Sequence, residues 1–344
     1  MPSKGEKKNT DQKKVMLSGV KPTGRPHIGN YFGAMRQLVE LQDAYDTYVM
    51  IADLHALTTV QNREEMREMI LGVALDYLAI GLDPEKVTIF KQSDVPAHSE
   101  LAWIFDCITT MPYLQRAHAF KDAEAKNKEI SVGVFNYPML MAADILLYDA
   151  DVVPVGQDQK QHIEIARDTA EKFNRIFPST DSGSTEPTFK LPEPLILGNV
   201  AVVPGIDGQK MSKSYKNTIP LFATDEEIKK LVMAIVTDSS GETPTNVYAI
   251  HKLFRSEAEL EKLYTEKKGK YKDLKEALIA DISTFIRPLR DCRESLEKNI
   301  EKVFEILEKG AKRAGGIATD KVLDVKKKLG FIQESHKKVE IPRD

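Results

Sequence analysis

A short apolar run, Val15 to Val20, breaks into the loop Lys21-Pro22-Thr23-Gly24-Arg25-Pro26 and is followed at once by helical spacing from Ile28 to Asp43. That succession constrains the fold more than anything else in the chain. The run reads as a buried strand, the Pro/Gly cluster as a loop, and Phe32, Met35, Leu38 and Val39 as one helix face. The pattern repeats. Thr47 to Ala52 is a β-branched and aromatic strand closed by Asp53, Glu64 to Ile80 is a helix stopped by Gly81 with Pro84 beyond, and Val87 to Phe90 is a third strand. Strand and helix alternating at this rhythm predict βαβ units, hence an α/β fold with a Rossmann-like parallel sheet.

A further unit follows. Tyr137 to Tyr148 is mostly apolar, Val152 to Val155 is a buried strand ending at Gly156, and Asp158 to Phe173 carries the charge pattern of an exposed helix. Phe177 to Pro194 is expected as a surface loop and Ala201 to Val203 as the last strand. After Pro220 the character changes. Thr224 and Glu227 form a capping box, and only helical segments follow, to about Gly330. The expected division is a polar, disordered extension over 1–14, a nucleotide-binding domain over 15–220, an appended helical domain over 221–332 and a polar tail over 333–344. Across 344 residues the formal charge is only −3, so any nucleic-acid contact must be a local basic surface. Cys107 and Cys292 form neither a metal spacing nor a disulfide framework. That suits a reducing cytoplasm, and Pro2 to Lys14 has no apolar stretch, so neither a secretory signal nor a membrane anchor is expected there.

Two short motifs carry chemistry. His27-Ile28-Gly29-Asn30 lies at a strand-to-helix junction, where backbone N–H groups and the positive end of a helix dipole face an anion. The glycines Gly19, Gly24, Gly29 and Gly33 are not spaced as G-x-G-x-x-G, which argues against a dehydrogenase. Gly29 would let an adenine or ribose approach the backbone; His27 would either donate to a phosphate oxygen or simply cap the helix. Lys210-Met211-Ser212-Lys213-Ser214 places two ammonium groups on a loop behind Gly208, suited to neutralising a polyphosphate. Lys121 is a weaker candidate for a third cation on the phosphates. A third constellation surrounds Asp144, a carboxylate inside the apolar run Met139 to Leu147. Burial demands a donor, either within the protein, such as a helix end or Arg116, or on a ligand. An indole N–H only donates and a carboxylate only accepts, so Asp144 at the bottom of an apolar pocket would select tryptophan over phenylalanine. Leu17, Ser18, Met141, Val153 and Val155 would shape the pocket, with Tyr137 and Gln159 on the α-amino group. Gly156 permits close approach and Asp158 can accept from ribose hydroxyls or cap a helix. His55, His98 and His162 show no metal spacing and are expected to be structural or peripheral.

Together, Ser18 to Gly24, His27 to Tyr31, Met141 to Tyr148, Val153 to Gln159 and Lys210 to Ser214 resemble the class I aminoacyl-tRNA synthetases, most of all their bacterial tryptophan-specific family. The resemblance implies ATP contacts at Lys21, Pro22, Thr23, Gly29, Asn30, Gly156, Gln157, Asp158, Val203 and Lys210 to Ser214. It places tryptophan on Asp144 with Tyr137, Met141 and Gln159. It also implies a homodimer, Mg2+ entering with ATP as substrate but no metal held by the protein, and tRNA(Trp) as partner, with the helical domain on the anticodon. Departures are Asn30 where the class has His, Lys21 where many relatives have Gln, and a compact Pro204 to Gln209 segment. A tyrosine-specific enzyme of the same architecture and a non-catalytic RNA-binding paralogue are the alternatives.

Overall fold

The structure, a computed structural model, describes residues 13–117, 120–121, 124, 130–156, 159–178, 187–196, 203–237 and 243–332. Five parallel strands form one sheet: β1 (Val15–Val20), β2 (Asp46–Ile51), β3 (Val87–Lys91), β4 (Val152–Val155) and β5 (Glu193–Ile196). Their order is β3-β2-β1-β4-β5. The chain therefore runs outward from β1 through β2 to β3, then returns to the other side of β1 for β4 and β5. This reversal opens a crevice at the carboxyl ends of β1 and β4, where ligands bind in open parallel sheets. β1 and β2 read as continuous apolar runs because both faces are covered: Met16, Leu17, Tyr48, Val49, Met50 and Ile51 are all at most 2% exposed.

Helix α1 starts in that crevice. It comprises Ile28–Asn30, a π-helical turn Tyr31–Met35 and Arg36–Leu41. The turn sits where Tyr31 and Phe32 pack edge-on and against Phe285, so the apolar periodicity predicted a plain helix where one widened turn exists. Arg63–Ala79 (α2), Ala97–Ile108 (α3), Val132–Leu146 (α4) and Lys160–Ile176 (α5) complete the α/β part.

Two expectations fail at the sheet's far edge. The segment read as a loop to Pro194 contains the start of β5, which pairs with β4 from Val152↔Glu193 to Val155↔Ile196. Pro194, closing a Pro/Ser/Thr/Gly-rich segment, hid it, since proline cannot donate to a ladder; an edge strand such as β5 tolerates one. The strand expected at 201–203 is not one at Val203, which instead accepts the Met211 N–H at 2.9 Å in a tight hairpin closed by the Pro204↔Lys210 bridge. Positions 201 and 202, like 1–12 and 333–344, lie outside the described residues.

Beyond Pro220 come α6 (Asp225–Met233), α7 (Thr245–His251), α8 (Glu257–Glu266), α9 (Tyr271–Lys298) and α10 (Ile300–Lys328). The capping box at Thr224 and Glu227 is present. Helix α10 returns to the sheet: Ala314, Ala318, Val322 and Val325 share one apolar cluster with Leu17, Tyr48 and Phe90. Gly310 makes this possible, since a Cβ there would sit 1.9 Å from the Ile89 carbonyl oxygen of β3.

Candidate active site

The two motifs meet. A cavity of about 630 Å3 is lined by Thr23, His27, Gly29, Asn30, Gly33, Val203, Lys210, Met211, Ser212, Lys213 and Tyr215. A strap joins its two halves: Ile28 N–H donates to Ile219 and Leu221 N–H to Pro26, at 3.0 and 2.9 Å. The segment that follows the lysine loop is thus stitched to the segment that opens α1.

His27 caps α1 reciprocally. Its Nδ1 accepts from the Asn30 N–H at 3.3 Å, while Asn30 Oδ1 accepts from the His27 N–H at 3.1 Å. An accepting Nδ1 leaves the proton on Nε2. Burial, aided by the Lys213 charge, lowers the His27 pKa to about 4, so the ring is a neutral donor at pH 7. Capping and lining the cavity therefore coexist. Gly29 has a more local reason than ligand approach: a Cβ there would lie 2.9 Å from His27 Nδ1.

The lysine loop has an internal spine that the sequence reading missed. Asn217, buried, accepts from the Ser212 N–H at 2.7 Å and donates to Lys210 O at 3.1 Å and Asp207 Oδ1 at 2.8 Å. A Cβ on Gly205 would collide with it at 2.3 Å. Lys213 Nζ donates to the carbonyls of Thr23 and Gly24, both at 2.9 Å, so an ammonium of one motif already rests on the loop of the other. Burial lowers its pKa. Tyr215, 62% exposed, lines the cavity and was also missed.

The other nominated residues fall differently. Lys21 and Pro22 do not line this cavity; Lys21 Nζ donates to Thr58 Oγ1 at 3.1 Å. Ser214 and Lys121 are exposed and outside its lining. Gly156 ends β4, and its carbonyl accepts from the Gln159 N–H at 3.0 Å, at the start of α5. Gln157 and Asp158 lie outside the described residues.

Asp144, 3% exposed, has its donors within the protein, and they are not Arg116, which lies over the Tyr113 ring. His98 Nδ1 at 2.6 Å and Gln92 Nε2 at 2.7 Å meet Oδ1; His55 Nε2 at 2.8 Å meets Oδ2. Burial pushes this carboxyl upward, but the His55 and His98 contacts outweigh it and hold it at about 2. His55 and His98 are therefore structural partners of Asp144, one of the two readings expected of them. His162 Nε2 lies 2.7 Å from the Tyr137 hydroxyl, and Tyr137 packs edge-on to His55. Leu17 and Val153 are core residues there, with Met141 and Val155 packed against the same cluster; Ser18 is buried on β1. Among the described residues no group of His, Cys, Asp or Glu side chains can hold a metal ion.

A parallel sheet with a polar cavity at its switch point and a cationic loop over it defines a nucleotide-binding α/β domain. Residues 8–305 match the family model for class I tRNA synthetases (W and Y), and the chain belongs to that family. The tryptophan–tRNA ligase of Fusobacterium nucleatum is 47% identical over 327 residues, covering 93% of this chain and 98% of its own. That of Rhodopirellula baltica is 45% identical over 325 residues, covering 92% and 99%. The Campylobacter jejuni tryptophanyl-tRNA synthetase, solved with ADP and tryptophan, superposes with a TM-score of 0.85 at 40% identity over 92% of this chain and 99% of that one.

Proposed function

We infer that the chain is a tryptophan–tRNA ligase of class I. It activates L-tryptophan with ATP to tryptophanyl-adenylate and pyrophosphate, then transfers tryptophan to the 3′ end of tRNA(Trp). The observation that carries the site assignment is the Lys213 ammonium lying on the Thr23 and Gly24 carbonyls, which makes one cavity of two distant motifs.

The chemistry needs position and charge, not a protein nucleophile. The substrate carboxylate attacks the α-phosphorus and pyrophosphate leaves. Lys210 and Lys213 offset charge on the departing phosphates, and neutral His27 donates from Nε2 while Asn30 holds the ring. Thr23, Gly29, Val203, Met211 and Ser212 line the nucleotide. Gly156, just past the carboxyl end of β4, leaves room for the ribose to approach the crevice. Mg2+ would enter with ATP as part of the substrate and supply charge neutralisation on its phosphates.

Asp144 accepts the indole N–H. An ionised carboxylate offers about four lone-pair directions and three are taken by protein donors, which leaves one. Leu17, Ser18, Met141, Val153 and Val155 shape the ring's slot, and Tyr137 and Gln159 face the α-amino group. We assign the α/β part to residues 15–220, an anticodon-reading helical domain to 221–332, and a cytoplasmic homodimer as the working form. No described helix is long and apolar enough to cross a membrane.

ATP–pyrophosphate exchange across the twenty amino acids tests this. Exchange should be driven by tryptophan alone; exchange driven by tyrosine and not by tryptophan would end the substrate assignment.

A further inference from the structure

Asp144 is backed by a second layer of buried side chains. His98 on α3 is completely buried, with Nδ1 2.6 Å from Asp144 Oδ1 and Nε2 2.8 Å from the Tyr148 hydroxyl. Tyr148, just beyond α4, is itself buried and stacks on Tyr48 of β2 at 5.1 Å between centroids. The direction of each bond follows from the two ends. An ionised carboxylate only accepts, so Nδ1 carries a proton; in the neutral ring Nε2 is then bare, and the Tyr148 hydroxyl donates to it. Burial and the nearby Asp144 charge raise the Tyr148 phenol, which keeps its proton available for that bond.

We propose that Tyr148 and His98 are positioning residues for side-chain selection: they lock one imidazole tautomer so that Asp144 stays an acceptor-only group with a single open direction, aimed at a substrate N–H. The inference rests on the assignment of Asp144 as indole acceptor and deepens it. His55 and Gln92 supply the other two donors, from the helical turn after β2 and the turn after β3. Remove the His98 donor and a buried carboxylate loses a third of its support. Its protonated form, which can donate, then becomes accessible. A site that can donate as well as accept no longer demands an N–H, so selectivity falls before catalysis does.

The experiment compares binding of tryptophan with binding of its benzothiophene analogue, in which sulfur replaces the N–H at nearly the same shape. Wild type, His98→Leu, His98→Asn, Tyr148→Phe and Asp144→Asn are measured by competition, with the KM for ATP followed in parallel. In His98→Leu the preference for tryptophan over the analogue should shrink by about tenfold or more, the scale of one lost hydrogen bond to a charged group. Analogue binding and the KM for ATP should stay near wild type. His98→Asn, which keeps a donor near Nδ1, should recover part of the preference. Tyr148→Phe removes one oxygen from the core and carries the test if His98→Leu does not fold; it should lower the preference by a smaller factor. Imidazole 15N shifts of His98 in the wild type should report a protonated Nδ1 and a bare Nε2.

A preference lost in Asp144→Asn but intact in the His98 and Tyr148 variants would overturn the positioning role while leaving the acceptor assignment standing. A preference intact in Asp144→Asn would overturn both. Equal loss of affinity for tryptophan and analogue would mark the pair as merely structural, and a doubly protonated His98 ring would overturn the tautomer lock.

Discussion

His27 uses its two ring nitrogens for two tasks, and its depressed pKa has a consequence for stability. Unfolded, the ring titrates near 6.5; folded, near 4. As pH falls from 6.5 to 4 the unfolded chain takes up a proton that the folded one refuses, so this residue's share of stability declines across that window. The stability difference between wild type and His27→Gln should therefore move against the wild type as pH drops from about 6.5 to 4, and stay flat above 7; denaturant titrations at several pH values measure it. Lys213 has a purely catalytic prediction. Lys213→Ala should reduce kcat/KM for ATP–pyrophosphate exchange by about 100- to 1000-fold, the scale of losing one charge-stabilising donor, with tryptophan affinity held. These two residues were legible in the sequence because each lies in a contiguous motif whose chemistry is local. His55, Gln92 and His98 were not. They reach Asp144 across 89, 52 and 46 residues, and nothing in their own neighbourhoods marks them as donors to a common acid. Asn217 was hidden differently: its role exists only once the loop folds back upon it.

Among the elements, β1 to β4 and most helices were readable because strand and helix periods alternate cleanly there. The failures share a cause. β5 contains a proline allowed by its edge position, and the π-helical turn in α1 answers to the Phe285 ring, far along the chain. Helix α10 is the strongest case. Its stripe Gly310, Ala314, Ala318 and Val322 looks like an ordinary apolar face, yet it seats the helix backbone against the β3 carbonyl of Ile89. A backbone obstacle cannot rotate away. Gly310→Ala should destabilise the protein by about 3 kcal/mol or more, at or beyond the upper end of ordinary overpacking. Gly315 and Gly316 on the same helix face open space, and alanine at either should stabilise by about 0.5–1 kcal/mol. Thermal unfolding of the three variants separates close packing from helix propensity. Equal effects at all three positions would show that Ile89 does not confine Gly310.

At the scale of the molecule, one face looks unfinished. Trp103 is 69% exposed, Val132 77% and Met111 64%. Trp103 lies one turn before Asp106 on α3, and Val132 one turn before Asn136 on α4. Asn136 Nδ2 donates to Asp106 Oδ2 at 2.7 Å, which brings the two exposed side chains to either side of one polar contact. Asp106 Oδ1, itself buried, has no hydrogen-bond partner among the described residues, and burial pushes this carboxyl up to about 6. Large apolar side chains exposed together around a polar contact are the composition of an interface seen from one side. A second copy of the chain meeting this face along a two-fold axis would cover Trp103, Val132 and Met111. The net charge of −3 is small enough that self-association meets little overall repulsion. Trp103→Asp should therefore convert a dimer into a monomer, read as a halved mass in sedimentation equilibrium, with the far-ultraviolet circular dichroism unchanged because the side chain is 69% exposed. Phe331→Asp, at a site 72% exposed near the end of the described chain, should leave the dimer intact. If Trp103→Asp remains dimeric at micromolar concentration, the subunits do not meet through α3 and α4.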